Sequence, residues 1–204
     1  LEIKDLTRYS FLSNIAISPD RENIAFVVSK ADEKENIYKG EIWIYNLKSK
    51  LCRRLTSAKA GKSFIWIDND SLIFENIIDN KLQEKVFDDG DSTIYYKIDI
   101  HKGEYSEYFK VPIKVNNIKK ISNNEFILNG IFSINKLDNS NLCSKEKNKT
   151  IEKNKEDEGY HIIDEIPFWS DGKGIINKKR DRLYLFEINN NEMKPISGEF
   201  SNVE

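Results

Sequence analysis

The chain has 204 residues, enough for one or two ordinary domains with a packed core. Its 32 Lys and Arg nearly balance 34 Asp and Glu, and the net charge of −2 gives no electrostatic case for nucleic acid. No apolar run approaches the ~18 residues of a membrane span, and Cys52 and Cys143 form neither a disulfide framework nor a metal cluster, so a cytoplasmic protein is expected.

Residues 1–12 read as a lead-in, with Leu6, Tyr9 and Phe11 packing while Lys4, Asp5 and Arg8 stay wet. The stretch IAISPDRENIAFVV at 15–28 then gives a strand with Ile15 and Ile17 on one face, a polar turn at 18–21, and a second strand. That second strand, 24–28, is apolar on both faces, as a strand sandwiched between two sheets would be. EIWIYNL at 41–47 alternates apolar and polar residues, and the more polar LCRRL at 51–55 closes a four-stranded group.

The plan returns. FIWI at 64–67 and LIFENII at 72–78 are followed by an acidic loop at 84–91, then TIYYKIDI at 93–100 and 104–111. A third round opens with 115–121 and 125–134 and resumes at RLYLFEI, 182–188, and MKPIS, 193–197. Between them, 135–158 is charged and almost without large apolar groups, which predicts a mobile insertion. Repeats of about 40–50 residues with four strands each are the signature of β-propeller blades. Helical periodicity is weak throughout. The expected fold is all-β, an incomplete propeller: blade 1 over 13–56, blade 2 over 63–111, blade 3 over 115–197, and the start of a fourth at 198–204. A closed ring needs about 4–8 blades, so open blade edges are expected to favour self-association.

Several motifs fail as sites. AGKS at 60–63 lacks the first glycine of a phosphate loop, since Thr56 stands there, and a strand follows where a helix is required; a turn between blades is the better reading. Asp88, Asp89 and Asp91 lack the spacing of a calcium loop and read as a solvated hairpin. His101 reads as a turn residue, and neither it nor His161 has a metal-like partner; no metal or cofactor is expected. The basic run at 178–182 reads as a solvated turn before a strand, and no Gly-x-Ser-x-Gly elbow is present.

The segment DEIPFWSDGKG at 164–174 is crowded with aromatic, acidic and glycine residues. It has two readings. The preferred one is a rigid turn anchoring the insertion, with Phe168 and Trp169 in the core. The other makes Asp164 and Glu165, beside Trp169, contacts for a cationic or amine-bearing ligand.

SPDRENIAFVVSKAD at 18–32, IWIY at 42–45 and RLT at 54–56 resemble the propeller of prolyl-oligopeptidase-family serine peptidases, although other propellers share this phrase. DEIPFW at 164–169, GKG at 172–174 and KKR at 178–180 resemble the acylaminoacyl-peptidase branch more specifically. The resemblance runs from Tyr9 to Val203. It implies a seven-bladed propeller ahead of an α/β-hydrolase domain that carries a Ser-Asp-His triad, the propeller restricting entry to short peptides. The chain departs from that pattern by ending after about three blades, without the hydrolase. The expected role is therefore a noncatalytic gate, with short peptides and a C-terminal hydrolase domain as partners. The alternative is a stand-alone propeller-like module for protein–protein interaction.

Overall fold

A computed structural model describes residues 3–34, 37–56, 60–76, 92–133, 163–171, 174–177 and 179–198. The predicted insertion at 135–158 and the predicted start of a fourth blade lie outside these residues, the latter apart from 198. The chain divides into two compact units.

The first unit opens with a short 3-10 turn, Ile3–Arg8, and holds two ladders. The first comprises β1 (Ser10–Ile17), β2 (Asn23–Asp32), β3 (Ile37–Asn46) and β4 (Cys52–Arg54). The second comprises β5 (Ala60–Trp66), β6 (Ser71–Asn76), β7 (Thr93–Asp99) and β8 (Tyr105–Val111). Each is antiparallel with sequential neighbours paired, and a bridge between Gly40 and Ala60 joins them into one eight-stranded sheet. The second unit holds β9 (Lys114–Lys120), β10 (Glu125–Ser133), β13 (Lys179–Glu187) and β14 (Glu192–Pro195), paired in that order. A separate hairpin, β11 (Trp169–Ser170) with β12 (Gly174–Ile175), precedes β13. Among the described residues there are thus three up-and-down four-stranded ladders, the form of propeller blades, and fewer than the roughly 4–8 of a closed ring.

Local chemistry sets the turns. The Ser18 hydroxyl bonds Asp20 Oδ1 at 2.5 Å and accepts the Asn23 amide at 3.0 Å, while Asp20 also accepts the Glu22 amide at 3.0 Å. These bonds, the Ser18 hydroxyl first, hold the Asp20 carboxyl below its ordinary pKa. Thr56 does similar work at the other end of its ladder: its buried hydroxyl accepts the Ile42 amide at 2.9 Å. The same tie recurs in all three ladders. The residue after the third strand donates its amide to a carbonyl in the first turn: Leu47 to Glu22, Ile100 to Asp70, and Ile188 to Asn124, at 2.8–2.9 Å.

Ala25, Val27, Ile42 and Ile44 of the first ladder form one core with Leu55, Phe64, Leu72, Phe74, Ile98 and Ile100. Ile24, Phe26 and Val28, on the opposite face of β2, are only half-buried, so this strand is less enclosed than its composition predicts. β1 differs more. It begins at Ser10, inside the predicted lead-in, and Tyr9, Phe11, Ile15 and Ile17 are exposed instead of packed. The register with β2 shifts between Ser13 and Ala16, and Asn14 adopts a left-handed φ of 49°. Ala60–Ser63 likewise opens strand β5 instead of forming a turn.

Gly130 marks a tight approach in the second unit. It sits at the register shift between β10 and β9, and a Cβ there would press on the tip of Ile113 and lie 3.2 Å from the Lys114 carbonyl oxygen. Overpacking of this kind costs about 1–3 kcal/mol. Gly130→Val is therefore expected to lower the thermal unfolding midpoint, with Gly130→Ala milder. Ile113→Ala in the Gly130→Ala background is expected to restore part of the loss. Unchanged melting of Gly130→Val would contradict this packing.

Candidate functional site

The segment 163–177 is built as a small clasp ahead of β13. β11 and β12 pair Trp169 with Ile175 and Ser170 with Gly174. The Ile176 amide extends the pairing by donating to the Phe168 carbonyl at 2.8 Å, and the Lys179 amide donates to the Ile176 carbonyl at 2.9 Å. The Asp164 amide donates to Asn177 Oδ1 at 3.4 Å, closing the clasp at its base, and the Ile166–Pro167 peptide is cis.

One ion pair ties the clasp to the sheet. Arg180 Nη2 on β13 donates to Glu165 Oε1 at 2.8 Å, and the two side chains are only 21% and 29% exposed. Arg180 Nη1 also donates to the Lys179 carbonyl at 3.0 Å. Glu165 thus neutralises an internal cation. Asp164 is exposed beside it. The basic run falls in the strand itself from Lys179 onward, not in a turn before it, which is what brings Arg180 to Glu165.

Four apolar residues of the clasp face outward. Ile166 is 95% exposed and Trp169 56%, with Ile163 and Phe168 half-exposed beside them. This corrects the expectation that Phe168 and Trp169 lie in the core. Among the described residues β11 and β12 pair only with each other and do not join the four-stranded sheet. The segment therefore presents an apolar tip on a charged, hydrogen-bonded base. Large contiguous apolar patches on a surface are a mark of contact sites.

The other candidates carry less. His101 Nε2 lies 3.0 Å from Asp70 Oδ1 in an exposed pair linking two turns of the second ladder. Asp88 to Asp91 and His161 lie outside the described residues, and among those described no three His, Cys, Asp or Glu side chains converge as a metal site. Sequence reasoning missed Arg53, whose guanidinium donates to the Ile100 carbonyl across the two ladders; its partner is too distant in sequence to signal it.

Removing the ion pair tests how the clasp is held. Arg180→Met is expected to cost about 1 kcal/mol of global stability, as a half-screened pair does. It is expected to abolish amide-exchange protection at Ile176 while leaving β10 and the interior of β13 protected. Retained protection at Ile176 would show that the backbone bonds suffice.

No protein-family model matches the chain, and no curated protein matches it in sequence. Solved structures do match. An acylaminoacyl peptidase of Pyrococcus horikoshii has a TM-score of 0.61 and 16% identity, covering 93% of this chain and 26% of its own. An acylaminoacyl peptidase in complex with Z-Gly-Gly-Phe-chloromethyl ketone gives 0.61 and 16%, covering 96% and 27%. AtxE2 isopeptidase gives 0.50 and 10%, covering 92% and 30%. At such identities the likeness is one of fold. The chain spans about a quarter of the length of these acylaminoacyl peptidases and is similar in fold to that stretch of them over nearly all of its own length.

Proposed function

We propose that this chain is part of the propeller of a cytoplasmic serine peptidase of the acylaminoacyl-peptidase type, and that it gates the access of short peptides to a hydrolase domain lying outside these residues. The observation that carries this reading is the clasp at 163–177. It combines the segment that resembles the acylaminoacyl-peptidase branch with an exposed apolar tip, in a chain whose fold matches such enzymes. An exposed free thiol at Cys52 fits a reducing compartment.

On this reading each residue of the clasp has a role. Trp169 and Ile166 offer a surface for an apolar side chain or acyl group. Asp164 offers a carboxylate at the base for an amine. Glu165, held by Arg180, is a positioning residue and not a direct contact. No nucleophile elbow occurs in the 204 residues, so this chain supplies selection, not bond cleavage.

The three tryptophans give a test with internal controls. The indole N–H of Trp43 donates to Glu41 Oε2 and that of Trp66 to the Ala16 carbonyl, each at 3.2 Å, whereas Trp169 lies on the exposed tip. Titration with a short N-acylated apolar peptide is expected to shift the Trp169 indole proton resonance and leave the other two in place. Trp169→Ala is expected to weaken binding by about 10-fold, the loss of one exposed aromatic contact. The chain alone is expected to leave a chromogenic acylaminoacyl substrate uncleaved. An unmoved Trp169 resonance would remove the clasp from the peptide path, and turnover would overturn the division of labour.

A further inference from the structure

The first strands of the first and third ladders differ in kind. β9 carries Lys114, Lys119 and Lys120, whereas β1, SFLSNIAI, is neutral and rich in apolar residues. Among the described residues neither pairs with another strand on its outer edge. The blades of a propeller surround a central channel, and the first strand of each blade borders it. A folded partner is too wide to reach such an edge. A single extended chain that enters the channel can.

Three features of β1 describe the chain it would take. The first is length. β1 pairs regularly with β2 from Ser10 to Ser13; the register then shifts, with Asn14 at a left-handed φ of 49°. Farther along, the Trp66 indole donates to the Ala16 carbonyl, and the 3-10 turn Ile3–Arg8 precedes the strand. The regular edge is therefore Ser10 to Ser13, enough for a short segment only. The second feature is the backbone. Alternate residues of an antiparallel strand turn both N–H and C=O away from their partner, so this edge offers about two donors and two acceptors to an added strand. The third is the side chains. Leu12, 64% exposed, lies on one face, and Phe11 lies on the other. Phe11 packs edge-to-face against Tyr38 with ring centroids 5.9 Å apart, and both rings are half-exposed. Each face of the edge thus presents an apolar contact.

We propose that Ser10–Ser13 is a docking edge for a short, extended, apolar peptide, which adds to the first ladder as a further strand. One of its side chains lies against Leu12 and the next against the Phe11–Tyr38 pair. Main-chain bonds supply the affinity and these two contacts the selection. A charged side chain at either position is disfavoured, because it would lose water against apolar groups that offer it no partner. The edge belongs to the first unit and the clasp to the second, and the proposal for one does not rest on the other. The docked segment stops short of Ala16, so the Trp66 indole bond stays in place.

Amide exchange on the whole chain tests this, with the blocked tetrapeptide N-acetyl-Ala-Val-Phe-Ala amide at millimolar concentration. The expected result is exchange slowed about 10-fold at alternate amides within Ser10–Ser13, those that β2 leaves free. Leu12→Lys is expected to abolish the effect, while Ile121→Lys, at another exposed apolar position, is expected to keep it. Should Leu12→Lys fail to fold, the unaltered chain decides: the same peptide with lysine in place of valine and phenylalanine is expected to give no protection. Unchanged exchange at all four amides overturns the proposal, as does equal protection by the lysine peptide. Protection that rises with protein concentration in the absence of peptide assigns the edge to a second copy and overturns it too. Trp169→Ala is expected to leave the protection intact, which separates this edge from the clasp.

Discussion

A four-stranded antiparallel sheet has two faces and can cover neither by itself, and the first unit depends on how one of them is covered. Ala25, Val27, Ile42 and Ile44 meet Phe64, Leu72, Phe74, Ile98 and Ile100 of the next ladder. Burying a large apolar side chain of this kind is worth roughly 1.5–3 kcal/mol, so this contact outweighs any single polar bond in the unit. Polar bonds then fix the alignment of the two sheets. The Arg53 guanidinium reaches the Ile100 carbonyl at one margin, and the Trp66 indole reaches the Ala16 carbonyl at another. The outer residues of β1 gain nothing from this arrangement, which is why an apolar strand stays exposed in a well-packed unit.

The clasp obeys the opposite balance. Two strands of two residues bury almost nothing, so apolar burial cannot hold it in place. A partly buried ion pair and a few backbone bonds do so instead. The Arg180–Glu165 contact reaches across fifteen residues of sequence and anchors the base, leaving Ile166 and Trp169 outside. Among the described residues those two side chains are not part of the second unit's buried apolar set. Their exposure leaves an apolar surface on a polar base, and the proposed recognition role rests on it.

The alternation of apolar and polar residues made the strands readable, because a period of two depends only on neighbours in sequence. IWIY within β3 and the Ser-Pro-Asp turn before β2 were legible for that reason. Position within a sheet was not. Phe11 and Ile15 have the composition of core residues but occupy a terminal strand, and topology, not pattern, decides that difference. Trp169 is a similar case, since an aromatic residue in a short strand is buried only if another layer lies over it. Asp164, Glu165 and Trp169 stood out by composition, yet the role of Glu165 depends on Arg180, which reads locally as one more surface cation. Where partners lie far apart in sequence, the residue types suggest a site and only the fold assigns the roles.

The two ends of a ladder are also unequal, and the amide ties explain where a site belongs. In an up-and-down sheet of four strands the first and third turns share one end, and the second connection lies at the other. The first and third turns are short and bonded to each other in all three ladders, through Leu47 to Glu22, Ile100 to Asp70 and Ile188 to Asn124. An insertion there would break a bond that holds two strand pairs in register. Among the described residues the second connection carries no such tie, and loop closure grows only slowly with length, so residues can be added there at little cost to the sheet. The second and third ladders place their long connections, 77–92 and 134–178, at this end. The clasp belongs to the longer of the two. Packing constrains one end of each ladder and leaves the other open to function, which is where loops on a rigid scaffold are expected to carry it.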